Sequence, residues 1–352
     1  MDFKTLSLNT RGFTQPFRGY PFHNLSFDAD IFCFQETQMS NTYFFRCFAE
    51  KWRGSCFWSH ALGQQGGVMT RFSDSFDYEF VQWKRDTSGR VVSVANKVKN
   101  YCMNIVNIYA PANLTVRKVF FGNLHKFFLP CDAIVITDDF NCYEYQTHNT
   151  GGNLSCAKYL ANFRSTFNSI DAWHRLNPRS CQCTWFNSDF SIGSRLDKIL
   201  VSQSLFSFVS KCEIKSFCLS DHDIVYLTLS LDDQRPRGPG LWKFNNSLLQ
   251  DTNFTEYISD CMNTLIEGIE HFPSVKLWWD FFKNSLKAEI ISFSRTKHKN
   301  LSHERVVLTN EIIKLKAPLV TGDFSVSSAI RDLENKLKEL VLKKLSGVAI
   351  RS

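Results

Sequence analysis

The sequence predicts an α/β protein: a four-layer sandwich of two mixed β-sheets flanked by helices, followed by a mainly helical C-terminal extension. Two observations predict this. Up to residue 231, short segments rich in β-branched and aromatic residues alternate with irregular and helix-like segments. After the polar run "DDQRPRGPG", apolar residues recur at three- and four-residue spacing instead. We therefore predict a first domain at 1–232, a linker at 233–240 and a helical segment at 241–352.

Eight segments of the first domain have strand-like patterns, in which apolar residues either alternate with polar ones or run continuously. They are residues 5–9, 31–36, 66–72, 90–98, 102–111, 133–137, 195–202 and 224–231. One helix is predicted at 113–129. Its apolar side is expected to consist of Val116, Val119, Phe120, Leu124, Phe127 and Phe128. Helices and strands in this mixture are typical of a layered α/β sandwich.

The C-terminal region is predicted to contain helices at 253–272, 276–300 and 328–345. The last of these has an apolar stripe at helical spacing. It is too short for the repeated heptads of a coiled coil, so ordinary packing is the expected role. The stripe consists of Ile330, Leu333, Leu337, Leu340 and Val341.

Composition narrows the class of protein. Hydrophobic residues make up 43% of the chain and charged residues 21%, as in ordinary globular proteins. The formal charge of +7 is compatible with a polyanionic partner. Twelve cysteines include no C-x-x-C pair, so free thiols in a reducing compartment are expected. We find neither a signal peptide nor an apolar run of membrane-spanning length, which predicts an intracellular protein without a membrane partner.

The segment "AIVITDDFN" raises the first question about chemistry. Adjacent aspartates at a strand end, Asp138 and Asp139, are typical of a polymerase metal site. An Asp followed by an Asn two positions later, as in Asp139 and Asn141, is typical of a metal-dependent phosphoesterase. Hydrolysis of a phosphodiester needs a metal, a base and hydrogen-bond donors, which usually come from several loops. Other polar residues at predicted strand ends therefore help to decide between a polymerase site and a phosphoesterase site. These residues are Asn9, Glu36, Tyr109, Asp197, Asp221 and His222.

Seven motifs stand in an order that resembles the endonuclease/exonuclease/phosphatase superfamily, which includes exonuclease III, apurinic endonucleases and DNase I. The motifs are "LNTRG", "QE", "GGV", "NIYAP", "DDFN", "SRLDKILVS" and "SDH", between residues 8 and 222. Each is weak alone, since a strand-end Glu is usually solvated and "SDH" is commonly a turn or a helix cap. The ordered set favours the nuclease interpretation over the polymerase one.

The resemblance implies a role for each strand-end residue. Glu36 is expected to be the main ligand of Mg²⁺ or Mn²⁺, supported by Asn9 and Asp221. Asp139 is expected to be the base that deprotonates the attacking water. His222, held by Asp197, is expected to donate to the phosphate. Asn141 and Tyr109 are expected to contact the phosphate as well. Asp138 stands where the family usually has Gly. A second carboxylate there is expected to raise the pKa of Asp139 or to perturb metal affinity.

Within this superfamily, the chain resembles the endonuclease domain of non-LTR (LINE-type) retrotransposon proteins. Arg11 stands where repair enzymes commonly have an acidic residue, and "TWFN" and the "GLWKFNNSLL" and "WWDFFK" segments fit the retrotransposon branch. The hairpin at 186–194 matches the loop that this branch lays against the DNA groove. An ordinary Ser- and Gly-rich turn is an equally good interpretation. The residues expected to contact substrate are Arg11, Trp185, Arg195 and Ser220.

The resemblance implies a magnesium-dependent endonuclease that nicks double-stranded DNA and leaves a 3′-hydroxyl to prime reverse transcription. It would act in the nucleus, lie in the cytoplasm otherwise, and work as a monomer or weak oligomer. It would bind element RNA through the C-terminal part or through a polymerase region. We expect the chain to be the front portion of a longer polyprotein. Two alternatives remain open at this point: a repair endonuclease or phosphomonoesterase on the same scaffold, and a catalytically degraded nucleic-acid-binding module.

Overall fold

The computed structural model describes most of the chain in two compact units. The first contains Met1–Arg235 together with Glu311–Asn335, and the second contains Pro236–Asn310 together with Lys336–Ser352. The predicted linker at 233–240 lies outside the described residues, whereas 311–335, predicted as part of the helical segment, groups with the first unit. The described residues are 2–13, 28–40, 54–63, 65–144, 156–231, 244, 246–320 and 325–349.

The first sheet has six strands in the order β13-β14-β1-β2-β4-β3. Strands β1 and β2 are parallel, and the other neighbours pair antiparallel. The sheet is therefore mixed, as the sequence predicts. Its strands are β1 (Asp2–Asn9), β2 (Ile31–Gln35), β3 (Cys56–Ser59), β4 (Val68–Phe72), β13 (Val209–Lys215) and β14 (Ile224–Ser230).

The second sheet also has six strands, in the order β5-β6-β7-β8-β12-β9, and is mixed because only β7 and β8 run parallel. A separate two-stranded ribbon forms from β10 and β11. The strands are β5 (Glu79–Arg85), β6 (Val91–Val98), β7 (Tyr101–Tyr109), β8 (Ala133–Asp139), β9 (Ser169–Asp171), β10 (Trp185–Phe186), β11 (Gly193–Ser194) and β12 (Asp197–Ser202). All eight predicted strand segments are confirmed.

The main hydrophobic core contains residues from both sheets. Phe3, Ile31 and Val225 come from the first sheet, and Ile105 and Val135 come from the second. Burial of these side chains is the dominant favourable contribution to folding. This arrangement confirms the predicted sandwich with two sheets in the middle.

Two helices form a second cluster with the outer side of the second sheet. They are α1 (Leu114–Asn123), extended by a 3-10 turn at Leu124–Phe127, and α2 (Ala157–Thr166). The predicted helix at 113–129 is confirmed, but its predicted apolar side is partly wrong. Leu124 is buried as predicted, but Val116 and Val119 are 55% and 63% exposed, and Phe121, which was not predicted on this side, is buried. The buried side also contains Arg117, which hid it from a search for apolar periodicity.

Five further helices complete the described elements. Short helices α3 (Ala172–Leu176) and α4 (Gln203–Phe206) lie in the first unit, and the long ones are α5 (Thr252–Glu267), α6 (Val275–Val320) and α7 (Ser327–Ala349). Two 3-10 turns, Asn246–Gln250 and Gly268–His271, flank α5. The predicted C-terminal helices are confirmed, as is packing by Ile330 and Leu337, which are buried. None of the described helices is both long enough and apolar enough to cross a membrane.

The expectation of free thiols is wrong for one pair. Cys142 and Cys156 form a disulfide with a Cα–Cα distance of 6.2 Å, which closes residues 142–156 into a loop. The nine other cysteines in the described residues are free. Sequence spacing alone does not reveal which cysteines meet.

Candidate active site

The strand order brings polar residues from both sheets to one edge of the sandwich. In the first sheet, Asn9 at the end of β1 pairs with Gln35 at the end of β2. In the second, Asp139 at the end of β8 pairs with both Tyr109 and Asp197. Because β12 and β14 run antiparallel to these strands, their first residues lie at the same edge. Topology therefore gathers residues that are far apart in sequence.

Asp139 is held by donors from both sides. Asn9 donates through Nδ2 to Oδ2 at 2.8 Å, and the backbone N–H of Asn141 donates to Oδ1 at 2.9 Å. Burial raises the pKa of the Asp139 carboxyl, and the negative charge of Asp197 raises it further, to about 6, against the opposing effect of His222. A carboxylate with this pKa is ionised at neutral pH and accepts a proton more readily than an ordinary Asp.

His222 and Asp197 form a buried pair. The ring nitrogen Nδ1 of His222 lies 2.8 Å from Oδ2 of Asp197, and both side chains are almost fully buried. Burial alone would lower the pKa of His222, but the Asp197 carboxylate outweighs it and raises this pKa to about 10. The imidazole is therefore a cation at neutral pH. The bond through Nδ1 leaves Nε2, across the ring, as the donor suited to a phosphate oxygen.

Glu36 stands at the end of β2 and contacts the second sheet. The Tyr109 hydroxyl donates to Oε1 of Glu36 at 2.5 Å. Burial and the negative charge of Glu36 both raise the pKa of Tyr109, so its hydroxyl keeps its proton and remains a donor. The guanidinium of Arg90 lies 4.6 Å from the centre of the Tyr109 ring. Glu36 has φ of 53°, an uncommon conformation for a non-glycine residue that is found preferentially at functional sites.

Asp221 is held by two side chains predicted to bind substrate. Trp185 donates through Nε1 to Oδ2 of Asp221 at 3.2 Å, and Arg11 forms a 3.2 Å ion pair with the same oxygen. Ser220 has a bracing role, since its hydroxyl donates to the Asn9 carbonyl at 2.8 Å and accepts the His222 N–H. The structure thus brings Arg11, Trp185 and Ser220 to the site edge through contacts within the protein.

Asn141 contacts Asp139 through its backbone N–H and not through its side-chain amide. Its side-chain Nδ2 donates to the carbonyl of Ala110 at 2.9 Å, and its φ is 48°. The amide therefore fixes the turn after β8, while the N–H fixes Asp139. The phosphate contact expected from this side chain stays a prediction.

Arg195 is not placed where it was predicted to act. Its side chain is fully buried and pairs with both oxygens of Asp171, at 2.6 and 3.3 Å. Its guanidinium also lies 5.1 Å from the ring centre of Trp173. Burial would raise the pKa of Asp171, but Arg195 lowers it to about 2. The expected substrate contact is therefore wrong, because Arg195 is a structural partner inside the protein.

Asp138 is not a main cause of the raised pKa of Asp139, whereas its expected effect on metal affinity stays a prediction. Successive strand residues face opposite sides of a sheet. Asp138 consequently shares its side of β8 with Ile136 and Phe140, which belong to the outer cluster, and not with Asp139. Burial, followed by the charge of Asp139, raises the pKa of Asp138 well above its usual range. The raised pKa of Asp139 has other main causes, which are burial and Asp197.

Several residues at this edge offer ligand atoms to a metal. Asp139, Asp197 and His222 each place one ligand atom within 4.8 Å of the others, but a protonated His222 is not a ligand. The oxygen donors at Glu36 and Asp221 suit Mg²⁺ or Mn²⁺ better. A buried oxygen of Asp197, Oδ1, has no hydrogen-bond partner among the described residues, so this side of the carboxylate has an unused acceptor that a cation could occupy. The donor set therefore fits a hard divalent cation.

Asn9 fits its predicted metal role less directly. Its Oδ1 accepts the N–H of Arg11 at 2.9 Å, and its Nδ2 faces Asp139. Both ends of the side-chain amide are thus engaged within the protein, and the bond from Nδ2 orients the carboxylate of Asp139.

Sequence reasoning missed the residues that hold the site together. Thr184 is fully buried, and its hydroxyl accepts the N–H groups of Leu196 and Asp197 at 3.0 and 3.1 Å. Its carbonyl accepts the N–H of Asp223 at 2.7 Å. Beneath Glu36, Gln35 donates to Asn107 across the sandwich at 2.7 Å. Gln35 and Asn107 stand within the motifs "QE" and "NIYAP", but nothing in the sequence indicates that their side chains bond to each other.

The sandwich and its buried acidic cluster define a class: a phosphoester hydrolase of the nuclease and phosphatase type, with a site compatible with metal-dependent hydrolysis. The sequence matches the model of the endonuclease/exonuclease/phosphatase family over residues 6–222. The chain therefore belongs to this family, which confirms the resemblance drawn from the motifs.

One relative covers nearly the whole chain. A Xenopus laevis protein, described as the transposon TX1 uncharacterized 149 kDa protein, is 28% identical over 362 residues. The match covers 98% of this chain but 27% of that protein, so the chain spans about a quarter of its relative's length.

Solved structures resemble the sandwich. An AP endonuclease from Leishmania major has a TM-score of 0.57 at 15% identity, covering 66% of this chain and 88% of its own. A 3′ phosphatase from Neisseria, solved with a product DNA hairpin, has a TM-score of 0.55 at 18% identity, covering 65% and 100%. These likenesses confirm the fold.

Proposed function

We propose that this chain is the endonuclease portion of a LINE-type retroelement protein, and that it nicks double-stranded DNA to leave a 3′-hydroxyl that primes reverse transcription. One observation carries the proposal. The transposon relative matches 98% of the chain, including the helical region, whereas the solved endonuclease and phosphatase neighbours match 65–66% of it. A repair enzyme accounts for the sandwich but not for the similarity beyond it.

The proposed chemistry assigns one task to each group. Asp139 accepts a proton from the attacking water, and the bond from Asn9 orients the Asp139 carboxylate for this role. As the water oxygen bonds to phosphorus, the bond from phosphorus to the 3′-oxygen breaks, and that oxygen takes a proton from solvent to become the 3′-hydroxyl. His222, held protonated by Asp197, donates to the phosphate oxygen on which negative charge develops. Tyr109 and Asn141 contact the phosphate. Glu36 and Asp221 would hold Mg²⁺ or Mn²⁺, which supplies charge neutralisation at the phosphate when bound.

The proposed partners follow from this chemistry. Double-stranded DNA is the substrate, and the formal charge of +7 supports binding to a polyanion. Element RNA would bind through the C-terminal part or a polymerase region outside this chain. Because target DNA is chromosomal, the protein would act in the nucleus, and we infer that it works as a monomer or weak oligomer.

The substrate is tested by offering three molecules in parallel: supercoiled plasmid, a duplex with one abasic site, and an inositol phosphate. We expect Mg²⁺-dependent conversion of the plasmid to open circles, with ends that a DNA polymerase extends directly. Preference for the abasic duplex would replace this function with repair, and phosphate release would replace it with a phosphomonoesterase. DNA binding without any cleavage would identify a degraded binding module.

A further inference from the structure

A lysine near the end of α6 forms an ion pair beside the candidate active site. Lys316 Nζ lies 3.3 Å from both carboxylate oxygens of Asp223 and 3.3 Å from Oε1 of Glu334 in α7. The side chains of Lys316 and Asp223 are only 11% and 4% exposed. All three residues belong to the first unit, in which 311–335 groups with the sandwich. A buried, hydrogen-bonded ion pair restricts its elements far more than an exposed one does.

Asp223 connects this lysine to the loop that carries the catalytic histidine. It directly follows His222, and its carboxylate also accepts the backbone N–H of Phe217 at 3.2 Å. Its own N–H donates to the carbonyl of Thr184. The hydroxyl of Thr184 in turn fixes the start of the strand that carries Asp197. Through Asp223 and Thr184, the buried Lys316 is therefore connected by hydrogen bonds to the segments that carry His222 and Asp197.

The same segment also contacts the hairpin that was predicted to meet DNA. Lys316 Nζ lies 5.2 Å from the ring centre of Phe186 in β10. Arg331 in α7 donates through Nη2 to the carbonyl of Ser188, at the hairpin turn, at 3.0 Å. Phe186 packs against Phe190 across the turn with ring centres 5.8 Å apart. Two basic side chains therefore hold the base and the turn of one hairpin.

We propose that residues 311–335 are a positioning element of the nuclease: they hold the 216–223 loop and the 185–194 hairpin in register with each other. As a result, the choice of nick site depends on a segment far along the chain from the catalytic residues. The consequence for nick sites rests on the proposed DNA-nicking function, whereas the positioning itself does not.

The test compares three substitutions at matched lysines. Lys316→Met keeps the length of the side chain and removes its charge, Lys316→Arg restores a cation, and Lys314→Met removes an exposed charge two residues away. Hydrogen exchange of peptides covering 184–194 and 216–223 is the first readout. We expect Lys316→Met to accelerate exchange in both peptides by about tenfold, Lys316→Arg to restore most protection, and Lys314→Met to change nothing.

The second readout is the distribution of nicks along one DNA fragment at low conversion. Ratios between sites do not depend on the fraction of folded enzyme, so a general loss of stability leaves them unchanged. We expect Lys316→Met to change these ratios several-fold. Unchanged ratios with unchanged exchange in the two peptides overturn the proposal, as does a uniform fall in rate with faster exchange throughout the molecule.

A second variant guards against failure of Lys316→Met to fold. Arg331→Gln removes the exposed contact with the Ser188 carbonyl and a positive charge that acts on Glu334, and it is expected to accelerate exchange mainly in the hairpin peptide. Protection equal to that of the wild type would count against the positioning role. A wild type that does not nick DNA overturns the proposed function, while exchange still decides whether 311–335 positions the two segments.

Discussion

The charge on His222 depends on the neighbouring carboxylates, and most of all on Asp197. Asp197 keeps the imidazole protonated although the ring is buried, with a pKa near 10. Asp139 has a pKa near 6 because it is buried beside that same carboxylate. Asp197 therefore raises the pKa of both Asp139 and His222, alongside the effects of burial and of the other carboxylates at the site, as expected when ionisable groups interact closely.

This arrangement predicts the pH dependence of the reaction. Asp139 must be ionised to act as base, so kcat/KM should rise as pH increases through about 6. His222 must be protonated, so activity should fall only as pH approaches about 10. In Asp197→Asn the negative neighbour is gone, and the alkaline fall should move towards neutral pH. A pH–rate profile checks this, and an alkaline limb that Asp197→Asn leaves in place would contradict the assignment.

The bond from Tyr109 to Glu36 predicts an effect on metal dependence. Tyr109→Phe removes the hydroxyl that orients the proposed ligand carboxylate. Residues that orient metal ligands typically contribute 10–100-fold in affinity or activity, so we expect the Mg²⁺ concentration for half-maximal nicking to rise about tenfold. Titration of Mg²⁺ against initial rate measures it. An unchanged midpoint would show that this hydroxyl does not orient a metal ligand.

At the scale of elements, the site depends on how strand ends are fixed to each other. Thr184 accepts two N–H groups with one buried hydroxyl. Thr184→Val keeps the shape but leaves both donors without that acceptor, which should lower the free energy of unfolding by about 1–3 kcal/mol. Thr184→Ser retains the hydroxyl and serves as the control. Denaturant unfolding compares the two, and equal stabilities would mean that the shape of the side chain matters and its hydroxyl does not.

The corrected face of α1 gives a second prediction at this scale. Phe121 is buried against α2 and the sheet, so Phe121→Ala should destabilise the protein by about 3–5 kcal/mol. Val119 is exposed, and Val119→Lys should change stability by less than about 0.5 kcal/mol. Thermal unfolding of both variants decides which face is buried. The reverse order of effects would restore the face predicted from periodicity.

The sequence predicted the helices and strands better than the contacts that their side chains make. Periodicity located β1, β7 and β8 because their side chains are buried continuously, and motif order located Asn9, Glu36 and Asp139 because each follows such a strand. Arg195 was assigned to substrate because nothing local reveals Asp171, which lies 24 residues away in sequence. Strand β5 was missed because all seven of its residues are exposed and carry no alternation of burial.

At the scale of the whole molecule, two mixed sheets bring their strand ends together at one edge of a sandwich. The two carboxylates of "DDFN" show how strictly this geometry assigns roles. They are adjacent in sequence, yet Asp139 faces Asn9 and His222, whereas Asp138 faces the outer hydrophobic cluster. The central claim is therefore that position on the strand, and not acidity, selects the base.

Plasmid nicking by two neighbouring variants tests this claim most directly. Each Asp→Asn change removes one carboxylate with little change in shape, and initial rates are measured with saturating Mg²⁺ on folded protein. We predict that Asp139→Asn lowers the rate by about 10²-fold or more, as loss of a general base does. Asp138→Asn should stay close to the wild-type rate. Comparable activity of Asp139→Asn and wild type, or a loss confined to Asp138→Asn, would contradict the account.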